Sequence, residues 1–157
     1  MKLQKATRCA LFAILELARD PERQISAAQI AEKYGISVNH LAKVLRDLTR
    51  AGLVEATRGA GGGYRFSGNA KRTTLYEVIE MFDVVAASRA VRPEAGDDSD
   101  MGRALGRVLA EIDDITVSTL KSITLATLLK IVQRQAPPEP EGAAKAQTGA
   151  DAEATAS

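Results

Sequence analysis

Cysteine occurs once in the 157 residues, at Cys9, and histidine once, at His40. A single thiol excludes an intramolecular disulfide framework and any thiolate cluster built from this chain alone, and a single imidazole excludes a histidine-rich metal site. With no acid–base pair in a recognisable arrangement, no catalytic constellation can be assembled, and the sequence predicts a protein that is not an enzyme. Long apolar runs are missing too. None reaches the roughly eighteen residues that a membrane-spanning helix needs, and no signal-like cleavage site follows MKLQKATRC. A soluble, cytoplasmic chain without a membrane partner is expected, long enough for one globular domain or a small domain with a helical appendage.

Acidic residues are scarce in the first half. Residues 1–74 hold 13 Lys and Arg against 6 Asp and Glu, a net of +7, whereas residues 75–157 hold 8 against 14, a net of −6; together these make the +1 of the whole chain. A basic half is the footprint of a polyanion-binding surface, and the acidic half would be repelled by the same ligand. Nucleic acid is therefore a candidate partner for the first half.

That half reads as helices joined by short turns. Leu3 to Ala18 is rich in helix formers, apolar on most sides, and stops before Asp20-Pro21, a buried first helix. Ser26, with Gln29 three residues on, is a capping box for AAQIAEKY, which Gly35 ends. Ser37 then caps VNHLAKVLRDLTRA, which stops at Gly52. Helix, glycine turn, helix is the helix-turn-helix outline. At one hundred degrees per residue, Leu41, Val44, Leu45 and Leu48 share one face of the third helix, and Asn39, Lys43, Arg46 and Arg50 share the opposite one, with no acidic residue in that row. Such a row after a capped turn suits DNA reading: Asn39 matches adenine, Lys43 guanine, and Arg46 and Arg50 phosphates. His40 lies at the edge of this face, as a phosphate or base contact or a plain surface histidine.

The stretch RGAGGGYRF, Arg58 to Phe66, places four glycines in five positions between strand-like LVEATR and YRFSG. A phosphate-binding loop would need a lysine after its last glycine, and a dinucleotide fingerprint would need the glycines to open a helix; neither holds. A glycine-rich hairpin after a helix-turn-helix is a wing, in which Gly61 and Gly62 allow positive φ and close approach, and Arg58, Tyr64 and Arg65 face a groove or phosphate. Thr74 caps LYEVIEMF, whose Leu75, Val78, Ile79 and Phe82 close the core of a domain spanning residues 1–82.

Residues 83–100 are acidic and aperiodic, an expected mobile loop. Its Asp97, Asp98 and Asp100 form a solvated acidic stretch or, alternatively, hold a hard divalent cation. Over 101–135, Met101, Leu105, Val108, Ile112 and Ile115 recur at spacings of four and three, a heptad-type seam, and Thr124 caps a last helix, LATLLKIV. A seam with nothing left in the chain to cover it predicts a homodimer. Residues 136–157 lack large apolar groups and read as a disordered tail. The fold class is mainly α with a small β-hairpin wing: a winged helix-turn-helix plus a long dimerisation helix.

The set LQKATRCAL, YGISVNHLAKVLRDLTRAGLV, RGAGGGYRF, TLYEVIE and LKSITLATLL resembles the Rrf2 family of bacterial transcription regulators over most of residues 1–132. In its reading helix the pattern of Asn39, His40, Leu41 and Lys43 is similar to the nitric-oxide-sensing repressor branch. The resemblance implies a homodimeric repressor that sets one helix per subunit into successive major grooves of a pseudo-palindromic operator, with Arg58 entering the minor groove. It also implies, for many members, an iron–sulfur cluster on three cysteines in the loop before the long helix. That loop here, 83–100, has neither cysteine nor histidine, so no cofactor is expected. Some members place a cluster ligand or reactive thiol on the first helix. Two readings of Cys9 stand: a redox sensor whose thiolate Lys5 favours one turn away, or a small core residue in an Ala-rich face. A winged-helix adaptor that binds protein instead of DNA is the alternative function.

Overall fold

The computed structural model describes residues 2–83, 85 and 94–135; the proposed tail 136–157 and most of the first part of the acidic loop lie outside the described residues. Six helices and one hairpin follow in the order α1 (Lys5–Arg19), α2 (Ala27–Tyr34), α3 (Val38–Arg50), β1 (Val54–Thr57), β2 (Gly63–Phe66), α4 (Leu75–Glu80), α5 (Asp100–Ser122) and α6 (Leu125–Gln135). The mainly helical class with one antiparallel hairpin holds.

Caps set these boundaries. Ser26 and Gln29 form the reciprocal capping box of α2, Ser37 accepts from the His40 N–H at the start of α3, and Thr74 and Glu77 form a second capping box on α4. Gly35 ends α2 at φ 62, the left-handed region where a side chain would be strained. The first helix differs from expectation. It begins at Lys5, two residues later than Leu3, and its N-cap Gln4 gives no side-chain cap. Asp83 supplies one from the end of the domain: its Oδ2 accepts from the Gln4 N–H at 2.9 Å and the Thr7 hydroxyl at 2.8 Å. These bonds, that from the Gln4 backbone foremost, hold the Asp83 carboxyl below its ordinary 3.8.

The core gathers one face from each element of the basic half. Ile14 and Leu17 of α1, Ile30 of α2, Leu41, Leu45 and Leu48 of α3, and Leu125 of α6 are fully buried and lie in one cluster with Val54 and Phe66 of the hairpin. Each such side chain contributes about 1.5–3 kcal/mol through removal from water. Beside this cluster a polar clasp ties α1 to α2. Glu16, with only 13% of its side chain exposed, accepts from Lys33 and from the Tyr34 hydroxyl. Burial works to raise the Glu16 carboxyl, but those bonds and the nearby Lys33 and Arg19 charges outweigh it and hold it below 4.5. Burial and the bond to Glu16 push Tyr34 up to about 12. The Tyr34 ring stacks on Phe12 at 5.0 Å.

The last helices are anchored at one end. Leu125 donates its N–H to the Thr73 carbonyl, Ala126 to that of Ala70, and Leu75 to that of Ile123, so the α5–α6 junction is stitched to the start of α4. From there α5, about 34 Å long at 1.5 Å per residue, leaves the core. Leu120 is its one buried residue, while Met101, Leu105, Val108, Ile112 and Ile115 are between 52% and 82% exposed. Ser99 caps it, and residues 94–99 before it form a hydrogen-bonded turn. No described helix is long and apolar enough to cross a membrane.

Candidate nucleic-acid interface

The third helix turns its four leucine and valine positions wholly inward and leaves Asn39, Lys43, Arg46 and Arg50 exposed, the division that its periodicity predicts. The side chains of Asn39, Lys43 and Arg46 have no hydrogen-bond or ion-pair partner among the described residues. The row is not free of acid altogether. Asp47, on the flank, approaches Arg50 at 3.8 Å, an exposed i,i+3 pair too long and too wet to hold that guanidinium firmly.

The hairpin places its side chains by register. Val54 faces Phe66, Glu55 faces Arg65, Ala56 faces Tyr64 and Thr57 faces Gly63. Tyr64 also exchanges two backbone hydrogen bonds with Ile25, at 2.8 and 2.9 Å, which fixes the wing to the segment between α1 and α2. The glycines have separate reasons. Gly59 and Gly61 take φ of 99 and 76. A Cβ on Gly62 would stand 2.3 Å from the Thr57 carbonyl oxygen, and one on Gly63 would stand 2.9 Å from that of Ile25. Gly61 and Gly62 thus shape the tip that carries Arg58.

Between the wing and α3 runs a groove of about 390 Å³ that draws in Arg46, Arg50 and Arg58, floored by Ala42, Thr49 and Tyr64. No carboxylate lines it. Ala42, Arg46, Thr49 and Arg50 form one helical stripe, and the small residues in it make the hollow that the arginines rim. Sequence reasoning missed Ala42 and Thr49, although their place on the arginine stripe signals them.

Two expected contacts differ. Arg65 is not a free charge: its guanidinium meets Glu55 across the hairpin at 2.7 Å, and that hydrogen bond raises its already high pKa. His40 does not stand with Asn39 and Lys43. Its Nε2 is buried with no hydrogen-bond partner among the described residues, and the ring borders a cavity shared with α1. Cys9, in the same wall, is 2% exposed; burial pushes its thiol up, and the Lys5 charge offsets this only in part. That environment disfavours a thiolate.

A capped helix projecting after a glycine turn, flanked by a glycine hairpin and sharing an arginine groove with it, defines a winged helix-turn-helix protein. Within that class the chain belongs to the Rrf2 family of transcriptional regulators: residues 3–131 match the family, which is described as iron-dependent transcriptional regulators. The chain is 51% identical over 135 residues to BadM of Rhodopseudomonas palustris, which carries the name of an HTH-type transcriptional regulator, covering 86% of this chain and 85% of that protein. Among solved structures it is similar to CymR (YrzC), the global cysteine regulator of B. subtilis, with a TM-score of 0.70, 26% identity, and 83% of this chain and 98% of that one covered. The IscR of T. potens superposes with a TM-score of 0.64 at 26% identity, covering 87% of this chain and 93% of that one.

The family description raises iron, and the donor set here does not suit a thiolate cluster. The chain's one cysteine is buried in the core and its one histidine stands on another helix. Among the described residues no group of three or more His, Cys, Asp or Glu side chains is placed to hold a metal ion. Asp97 instead accepts from the Glu94 N–H within the turn before α5.

Proposed function

We propose that this protein is a homodimeric, sequence-specific DNA-binding repressor of the cytoplasm, without enzymatic activity, and that its response requires no three-cysteine iron–sulfur cluster. The observation that carries the reading is the arginine groove between α3 and the wing, with Arg46, Arg50 and Arg58 along it and no carboxylate in its lining. A row of cations on a helix that fits a major groove, continued onto a hairpin, matches the phosphate path on either side of that groove. Asn39 and Lys43, exposed and unpartnered near the start of α3, read bases; Arg46 and Arg50 hold phosphates; Arg58 enters the minor groove.

Dimerisation through α5 would present two such helices to a pseudo-palindromic operator, one per half-site. The apolar seam supports it, because so many exposed apolar residues in a row are an interface awaiting its other half. The buried Nε2 of His40 and the pairing of Arg65 with Glu55 make these two weaker candidates for contact than Arg46, Arg50 and Arg58. Binding of the chain to its own promoter region, followed against a scrambled duplex, tests the reading; retention of a protein partner with no preference for the promoter would favour the adaptor. An absorption spectrum of anaerobically purified protein tests the cofactor clause: the expected protein is colourless, and visible absorption with bound iron would refute that clause.

A further inference from the structure

A second cavity, of about 350 Å³, opens between the first turns of α1, the turn Gly35–Ile36 and His40. Nothing in the DNA-reading surface uses it. Three cations border it, Lys2, Lys5 and Arg8, and no carboxylate does. None of the three has an ion-pair partner among the described residues; the Arg8 guanidinium stands 6.0 Å over the ring of Phe12. The walls below are apolar, supplied by Leu3, Cys9, Phe12 and Ile36. At one side lies the His40 imidazole with its unpartnered Nε2.

These features select a chemistry. Three unneutralised cations around one hollow repel each other, and a bound anion relieves that repulsion. The volume falls within the roughly 300–1,000 Å³ of small-molecule sites, which are typically apolar with a few convergent polar groups. A bare phosphate or a DNA phosphodiester would use the cations and leave the apolar wall without purpose. We infer that this cavity is an effector site for a small organic anion, with the acid group among Lys2, Lys5 and Arg8 and an apolar body against Phe12, Cys9 and Ile36.

Its position makes it regulatory. Gly35 and Ile36 form the turn between α2 and α3, and His40 lies in the first turn of α3, beside the base-reading residue Asn39. An occupant therefore bears on the seat of the reading helix, and ligand affinity and DNA affinity become coupled. This coupling rests on the DNA-binding reading; occupancy of the cavity does not.

The single histidine allows a direct test in the full-length protein without DNA. The imidazole Cε1–H signal of His40 is followed by NMR as a panel of linear monocarboxylates of roughly four to ten carbons is titrated in, against the matching alcohols and inorganic phosphate. The inference expects saturable movement of that signal by at least one carboxylate, with alcohols and phosphate about tenfold or more weaker. Arg8→Gln and Lys5→Gln, both at exposed positions, should weaken the carboxylate about tenfold with an unchanged circular dichroism spectrum. It is overturned if no carboxylate moves the signal saturably, if alcohols act equally well, or if both variants bind as the wild type does. Loss of promoter affinity and of salt slope in these variants, with no carboxylate moving His40, would assign the three cations to DNA phosphates and overturn it as well. Failure of promoter binding by the wild type would leave the carboxylate titration untouched, so the two readings fail separately.

Discussion

Lys43 is exposed on the outer face of α3, with no partner to compete for its ammonium. Lys43→Ala should cost about 1–3 kcal/mol of operator affinity and relax preference at one base position, seen by competition among single-base operator variants. A loss of equal size on every sequence would make it a phosphate contact. Arg58 and Arg65 offer a sharper contrast, since both were legible in the sequence as wing charges. Arg58 is unpaired among the described residues, while Arg65 is bonded to Glu55, so Arg58→Ala should lower affinity markedly more than Arg65→Ala in fluorescence anisotropy. The sequence could not separate them because the pairing is set by hairpin register, and the length of the glycine loop decides which residue faces Glu55. The burial of the His40 Nε2 escaped the sequence for a similar reason. Helical periodicity sets a residue at the edge of a face, but α1, far away in sequence, covers that edge.

At the scale of elements, the capping serines and threonines and the glycine at the end of α2 were readable, since each acts within four residues of its own position. The cap on α1 was not, because Asp83 reaches Gln4 and Thr7 from 79 and 76 residues away. A depressed carboxyl contributes stability that is present above its unfolded value and lost as the pH falls through its lower folded value. Asp83→Asn should therefore lower the thermal midpoint at neutral pH, and the variant and wild type should converge as the pH drops below about 3.8. Melting curves by circular dichroism from pH 7 to about pH 2 check this. A constant gap across that range would mean that the Asp83 charge has no part in holding α1.

For the whole molecule, the charge asymmetry and the heptad-type seam were both legible, because each is a sum over many residues and survives errors at any one of them. What the seam meets was not, since the described residues leave it exposed. Ile112→Glu, at a position 52% exposed in the isolated chain, should leave the domain folded and convert the dimer to monomer in analytical ultracentrifugation. The same variant should bind a full operator at least about tenfold more weakly, because two tethered half-site contacts become one. A dimer that persists in Ile112→Glu would place the interface elsewhere.

The central claim is that the arginine groove is a phosphate track, and the salt dependence of promoter binding measures it most directly. Arg46 and Arg50 of each subunit, four phosphate contacts in a dimer, predict a slope of log affinity against log salt of about −3.6, at about −0.9 per phosphate, with clear preference over a scrambled duplex. Arg46→Ala should make that slope shallower by about two, one phosphate from each subunit. Affinity that is flat with salt, or equal for promoter and scrambled DNA, would contradict the account.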